Sequence, residues 1–152
     1  MNPDIRIQQA DFAQEREVAA LRARGGEVGA IVTFTGLVRD LEADTAVRGL
    51  YLEHYPGMTE KSLHKIVASA AARWPLCAVT VIHRVGHLGA AEQIVFVGVS
   101  SAHRHAAFAA CEFIMDYLKT RAPFWKKSLR SDGDFWVEAK DSDTKASERW
   151  QA

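Results

Sequence analysis

The stretch over residues 100–127, SSAHRHAAFAACEFIMDYLKTRAPFWKK, most constrains the fold, because it predicts one long apolar helix with basic residues at both ends. The hydroxyl pair Ser100 and Ser101 suits a helix N-cap. About five turns of apolar-rich sequence follow, and Pro123 ends the helix because it has no N–H and its ring clashes with the preceding turn. Apolar side chains occupy most of the helix circumference. We therefore expect the helix to pack against its own sheet and against another subunit.

The basic residues at the two ends of this helix suit different tasks. His103 and Arg104 lie in the first turn, where free amides and the helix dipole already favour an anion. Lys119, Lys126 and Lys127 lie around the other end. Neighbouring ammonium groups favour loss of a proton from one of them, and a neutral lysine can act as a base or a nucleophile.

The length of the helix limits how these ends can cooperate. His103 and Lys119 are sixteen positions apart, which is about 24 Å along a straight helix. Either the ends serve two separate sites, or a twofold dimer brings one end beside the opposite end of a second copy, which is the interpretation we favour. The alternative is that Lys119 is a solvated lysine paired with Asp116 and Glu112, and that His103 and Arg104 form a surface or capping pair.

Length and composition favour an ordinary globular protein, which we expect to be a single domain over residues 1–152. Lys plus Arg and Asp plus Glu both number 19, so a general nucleic-acid or acidic-membrane binder is disfavoured. The N-terminal sequence has no apolar signal core and no run of 18 apolar residues occurs, so we expect a cytoplasmic protein without a membrane segment. Cys77 and Cys111 are expected to be reduced and buried.

Strands and helices are expected to alternate irregularly along the rest of the chain. Strands are predicted over residues 5–9, 30–35 (buried), 47–55, 78–85, 94–100 and 135–140, with the turn 40–46 joining the second and third as a hairpin. Asp11 and Thr59 are predicted N-caps of two further helices, which end at Gly25–Gly26 and before Pro75. Residues 141–152 are predicted to form a frayed helical tail.

The candidate site residues are basic rather than metal-binding. Nucleotide-binding, serine-hydrolase and zinc-protease motifs are absent from the sequence. His83 and His87 fall in a strand and a turn, where their spacing does not converge on a metal, so we expect neither a metal nor a cofactor. Arg39 follows Gly36 at a strand end and offers a planar fork for an oxyanion, although a strand-end surface charge is the simpler interpretation.

The ordered segments VTFTGLVRD, LEHYPGMTEK, RWPLCAVTVIHRVGHL, VFVGVSSAHR, FIMDYLKTRAPFWKK and WVEAKDSD closely resemble the MoaE family, the large catalytic subunits of molybdopterin synthase. The resemblance covers nearly the whole chain. Its most specific parts are S-x-H-R, at residues 101–104, and D-x-L-K-x-x-x-P-x-W-K, at residues 116–126.

This resemblance implies an α+β fold of the hammerhead type, with a mixed or antiparallel sheet and about three main helices. It also implies a homodimer that binds a small ubiquitin-like, MoaD-like subunit at each end, forming a heterotetramer. The thiocarboxylated C-terminal Gly-Gly of that subunit would supply two sulfurs, converting cyclic pyranopterin monophosphate to molybdopterin.

The resemblance also implies a set of site residues. Lys119 and Lys126 match the catalytic lysines, and the substrate-binding positions are Leu37, Val38, Arg39, His103, Arg104, Met115, Lys127, Ser128 and Lys140. Ser128 replaces a common glutamate, Lys140 replaces a common arginine, and Ala91 replaces the glycine usual before Glu92. A rival function is a non-catalytic dimeric module that uses the same basic pocket to bind a phosphorylated ligand or a carboxylate.

Overall fold

A computed structural model describes residues 1–39, 47–130, 133–137 and 141–151. Within these ranges the chain forms two four-stranded sheets and four helices, three of them long. In chain order the elements are β1 (Asp4–Gln8), α1 (Gln14–Ala23), β2 (Ala30–Leu37), β3 (Val47–His54), α2 (Met58–Arg73), β4 (Ala78–Arg84), β5 (Gly86–Gly89), β6 (Gln93–Ser101), α3 (Arg104–Arg121), β7 (Phe124–Arg130), β8 (Gly133–Val137) and α4 (Asp141–Glu148).

The first sheet has the order β1-β4-β6-β2 and carries most of the core. β1 runs parallel to β4, and the other neighbours are antiparallel. Because side chains alternate along a strand, the two faces of β4 are separated cleanly. Val79 and Val81 face the cluster formed with α2 and α3, whereas Ala78 and Ile82 pack with Leu21 of α1 on the other face.

The second sheet has the order β5-β3-β7-β8 and is antiparallel throughout. Its small apolar cluster contains Val38, Leu50, Leu52 and Leu88. Phe124 packs against this cluster and against the main core, so it links the two sheets. The α+β class with mixed sheets and three main helices is thus confirmed.

Two predictions about strands were wrong. Residues 47–55 were expected to form a hairpin with the preceding strand, but β3 pairs with β5 and β7 in the second sheet. Its partner residues lie far away in sequence, so local periodicity could not reveal them. The predicted turn 40–46 lies outside the described residues. β2 is a half-exposed edge strand rather than a buried one, with Phe34 41% exposed.

Three predicted helix caps were also wrong, because each side chain has another partner. Ser100 and Ser101 are buried at the end of β6, where their hydroxyls donate to the carbonyls of Ala78 and Pro75. Asp11 accepts from the Phe12 N–H and from Gln93, and α1 begins later, after Ala13. Thr59 is buried and donates to the Pro123 carbonyl at 2.9 Å. Gly57 occupies the N-cap of α2, and its N–H donates to Glu60 at 3.0 Å.

The remaining long elements follow the sequence pattern. α2 and α3 end at Arg73 and Arg121, just before Pro75 and Pro123, as expected from the restriction that proline places on the preceding residues. The tail is helical over α4, while the end of the predicted last strand, residues 138–140, lies outside the described residues. In the described part of the chain, no helix is both long and apolar enough to cross a membrane.

The two cysteines are free, as expected, but only one is buried. Cys111 lies in the core against β6, and its thiol donates to the Val97 carbonyl at 3.7 Å. Burial raises the pKa of the Cys111 thiol to about 12, which keeps it neutral. Cys77 is half-buried, so the prediction of a second buried cysteine was wrong.

Candidate functional site

The first part of the candidate site is the end of β2. The pairing with β6 shifts between Gly36 and Leu37, and a side chain at Gly36 would place its Cβ 2.7 Å from Val95 Cγ1. Glycine therefore permits the close approach that was expected there. Val38 is buried and exchanges backbone hydrogen bonds with the turn before β6, accepting from Ala91 at 2.8 Å and donating to Glu92 at 2.9 Å.

This anchoring of Val38 presents its two neighbours to solvent. Leu37 is 51% exposed, and Arg39 is also exposed. Leu37 pairs with Gln93 at the beginning of β6. The guanidinium of Arg39 therefore projects from a fixed strand end and not from a free loop.

The second part of the site is α3, which carries basic residues at both ends. His103 occupies the N-cap in an extended conformation without a side-chain capping bond, and Arg104 is the first helical residue. Both side chains are exposed. Lys119 lies in the last turn, is exposed, and is close enough to the buried His83 for its charge to act on that ring.

The third part is β7, which begins three residues after α3 ends. Its half-buried Lys126 pairs with Leu52 of β3, and Phe124 lies on the same face of the strand by alternation. Lys127 and Ser128 occupy the next two positions of β7, opposite Tyr51 and Leu50. Lys140 lies outside the described residues.

The course of α3 separates the predicted residues into two groups. β6 runs from Gln93 to Ser101, and α3 then returns along its face, with Cys111 over Val97. The C-terminal end of α3, with Lys119, therefore returns to the end of the sheet where β2 ends at Leu37. His103 and Arg104 lie at the opposite end of the sheet, where β2 begins and Ala30 pairs with Ser101. The 18 residues of α3 span about 27 Å between these two ends.

Other side chains of α3 support the helix. Met115 is half-buried and packs against the main core. Glu112 and Asp116, the acidic residues considered as partners of Lys119, bind the C-terminal segment: Arg149 contacts both, at 2.9 Å to Asp116, and the Trp150 ring N–H donates to Asp116 at 2.6 Å. The tail after α4 is thereby fixed to the helix that carries the site.

Sequence reasoning missed one residue beside Lys119. His83 was considered only as a metal ligand, but its ring is buried and stacks on Phe124, whereas the His87 ring contacts Tyr51. In the described part of the chain, no three His, Cys, Asp or Glu side chains are grouped to hold a metal. The available signal was the alternation in AVTVIHR, which places His83 on the same face as Val79 and Val81.

Comparison with known proteins decides the family. The model of the MoaE protein family matches residues 7–121, which is about three quarters of the chain. The chain belongs to the MoaE family. A molybdopterin synthase catalytic subunit from Vibrio cholerae is 57% identical over 151 residues, covering 99% of this chain and all of that protein.

Solved structures of MoaE proteins have the same fold as this chain over nearly its whole length. The molybdopterin biosynthesis MoaE protein from Burkholderia ambifaria is 53% identical, with a TM-score of 0.86 and 99% of each chain covered. A complex of subunits 1 and 2 of the molybdopterin-converting factor from Helicobacter pylori contains a chain with the same fold at 19% identity. Its TM-score is 0.74, and the match covers 90% of this chain and 91% of that one.

Proposed function

We propose that this MoaE chain is the catalytic subunit of a molybdopterin synthase, a sulfurtransferase of molybdenum cofactor biosynthesis. It would convert cyclic pyranopterin monophosphate to molybdopterin with two sulfurs from the thiocarboxylated Gly-Gly end of a small, MoaD-like subunit. The high identity to synthase subunits over the full chain length supports this assignment. The cytoplasmic location expected from the sequence is part of the same proposal.

The observation that carries the proposal is the separation of the cations into two groups, one near each end of α3. Lys119 lies in the last turn of α3, Lys126 follows on β7, and Arg39 comes just after the end of β2. His103 and Arg104 lie at the other end of α3, where β2 begins. A phosphorylated pterin is far shorter than α3, so it cannot contact both groups in one copy. A complete site then requires the second group from another copy, related by a twofold axis.

Each cation has a role in the proposed reaction. Lys119 and Lys126 would bind the incoming thiocarboxylate and assist proton transfers as sulfur attacks the pterin side chain and the cyclic phosphate opens. Arg39, with His103 and Arg104 of a second copy, would hold the phosphate and its developing charge. Each sulfur transfer leaves an acyl link between carrier and substrate. Water cleaves this link, and a fresh carrier end then brings the second sulfur.

The remaining predicted positions complete the proposed pocket. Leu37 and Val38 form the strand end that precedes Arg39, and Met115 lies one turn before Lys119 on α3. Lys127 and Ser128 follow Lys126 on β7. Lys140 is kept as a substrate-binding position on the ground of the resemblance.

A surface for the second copy is available beside the site. β2 is an edge strand, and α3 packs against it. Together they expose three large apolar side chains: Phe34 at 41%, Leu37 at 51% and Phe108 at 62%. Exposed apolar side chains beside an open strand edge favour association with another protein surface. The homodimer is proposed on this ground, and the heterotetramer formed with two small subunits is proposed on the ground of the resemblance to the MoaE family.

The proposal is tested by mixing the protein with a thiocarboxylated small subunit and cyclic pyranopterin monophosphate, and detecting the dithiolene product by mass. We expect product that depends on the thiocarboxylate. A stable complex with the small subunit but no product would contradict the assignment and favour the rival binding module.

The substitution Lys126→Arg separates the enzyme from the rival module. It keeps the positive charge, but arginine does not release a proton near neutral pH. We expect binding of the pterin phosphate to change little and the rate of dithiolene formation to fall by about tenfold or more. Lys65→Arg, an exposed position on α2, is the matched control. Full activity of the Lys126→Arg protein would exclude proton transfer by Lys126.

A further inference from the structure

His83 is a polar side chain in an apolar position. It lies on β4 on the face of Val79 and Val81, and it is only 6% exposed. Its neighbours in the two flanking strands are Ile7 of β1 and Val95 of β6. A buried polar ring costs free energy unless its nitrogens are satisfied, so its contacts are informative.

The hydrogen bond of His83 defines which ring nitrogen carries the hydrogen. Nδ1 lies 2.9 Å from the carbonyl oxygen of Arg84. A carbonyl only accepts, so in the neutral ring Nδ1 must be the donor and Nε2 must be the acceptor. The ring therefore presents one fixed acceptor nitrogen.

Burial is the main reason that the His83 ring stays neutral. Burial, with smaller electrostatic contributions from Lys119 on α3 and His54 on β3, lowers the pKa of His83 to about 4, against the opposing effect of the hydrogen bond to the Arg84 carbonyl. The positions beside it on β1 and β6 are apolar. At neutral pH the uncharged imidazole of His83 therefore lies close enough to Lys119 to interact with its positive charge.

The ring also contacts the segment that joins the two lysines. His83 stacks on Phe124 with the ring centres 3.9 Å apart and the planes inclined by 21°. Phe124 lies five positions after Lys119 and two before Lys126, and it pairs with His54 across the strands. Phe124 is the first residue of β7 and directly follows the short connection from α3, so the stacked ring holds this connection against β4.

We propose that His83 is a positioning residue for the two lysines: its ring fixes Phe124, and its Nε2 accepts a hydrogen bond from the Lys119 ammonium group. The catalytic part of this inference rests on the proposed function, since it matters only if the lysines act on substrate. The hydrogen bond itself does not depend on that function.

The hydrogen bond is tested without any activity measurement. Long-range ¹H–¹⁵N spectra at neutral pH report which nitrogen of each histidine ring carries hydrogen and whether the other accepts a hydrogen bond. We expect a protonated Nδ1 in His83 and an Nε2 resonance that moves toward the value of an unbonded nitrogen in Lys119→Met. Lys65→Met, exposed on α2, should leave it unchanged. An Nε2 resonance unaffected by Lys119→Met would overturn the contact.

The positioning role is tested by substitutions at His83 in the assembled synthase. His83→Phe keeps an aromatic ring against Phe124 but removes the acceptor, and His83→Gln restores an acceptor. We expect kcat to fall about tenfold in His83→Phe with little change in KM, and to recover partly in His83→Gln. His64→Phe, exposed on α2, is the control.

The two experiments separate failure of this inference from failure of the proposed function. A wild-type protein that forms no dithiolene would contradict the function, while the spectra would still decide the contact. An active wild type with equally active His83→Phe would overturn the positioning role.

Discussion

At the scale of single residues, the burial of His83 makes the stability of the fold depend on pH. The pKa is lowered from 6.5 to about 4 in the folded protein. Between these values the unfolded chain binds a proton that the folded protein does not bind, so stability rises with pH. Stability should therefore fall as the pH drops from about 6.5 to about 4, by up to on the order of 3 kcal/mol from this residue, and this contribution levels off below.

Urea unfolding at about pH 7 and about pH 5 measures this effect, with His83→Phe as the comparison. Phenylalanine has no proton to bind, so the decrease in unfolding free energy between the two pH values should be smaller in this variant. His64→Phe should retain the wild-type decrease, because His64 is exposed. Equal decreases in wild type and His83→Phe would show that His83 does not carry the pH dependence.

At the scale of elements, the turn between β5 and β6 contains a strained residue. Ala91 has φ of 67°, a left-handed conformation that costs a residue with a Cβ about 1–2 kcal/mol. It is the position where the resemblance to the MoaE family implies glycine. Its N–H donates to Val38, so the same turn anchors the strand end that presents Arg39.

Ala91→Gly should stabilise the fold, because the relief of strain exceeds the greater entropy of the unfolded chain. We expect a gain of up to about 1 kcal/mol in urea unfolding. Ala90→Gly is the matched control, since Ala90 is outside the left-handed region and glycine there should only destabilise. Loss of stability in Ala91→Gly would contradict the strain.

Most helices and strands could be predicted from the sequence, but strand pairing and helix caps could not, and two strands were missed: β5, where His87 was expected to lie in a turn, and β7. The apolar period of α2 and α3 is local and gave their positions to within a few residues. The sequence predicted β3 as a strand but not its pairing with β5 and β7. That pairing buries Leu50 and Leu52 against Leu88 of β5 and Phe124 of β7, which are far away in sequence. Thr59 failed as a cap for the same reason, since it binds the remote Pro123.

One part of the candidate site, the separation of its cations into two groups, could be predicted from helix geometry. The 1.5 Å rise of a helix turns the spacing of His103 and Lys119 into a distance, so the separation of the two groups followed directly from the sequence. The proximity of Lys119 to His83 depends on how α3 packs on the first sheet, over β6 and β2, which no local pattern encodes. The family resemblance supplied residue roles that spacing alone left open.

At the scale of the whole molecule, the exposed side chains on β2 and α3 should hold two copies together. Phe108→Asp places a charge on this surface, and burying an unpaired charge is costly. We expect the variant to sediment as a monomer where the wild type sediments as a dimer. Met58→Asp alters a similarly exposed side chain, 60% against 62%, at the beginning of α2, and should remain dimeric. A Phe108→Asp dimer would place the interface elsewhere.

The most direct test of the shared site combines two inactive variants in one dimer. Lys119→Ala removes a lysine from one group, and Arg104→Ala removes a cation from the other. In a mixed dimer, one site loses both residues while the other keeps both. Co-expression of the two chains with different tags allows the mixed dimers to be formed and their dithiolene formation to be measured.

Random pairing makes half of the dimers mixed, so the mixture should recover about a quarter of wild-type activity although each parent is nearly inactive. The control is a mixture of Lys119→Ala chains with Lys126→Ala chains. Both lysines of a site come from the same copy, so each mixed dimer has two damaged sites and no recovery is expected. Recovery in the first mixture alone is the result predicted by a site built from two copies. A first mixture no more active than its parents would contradict it.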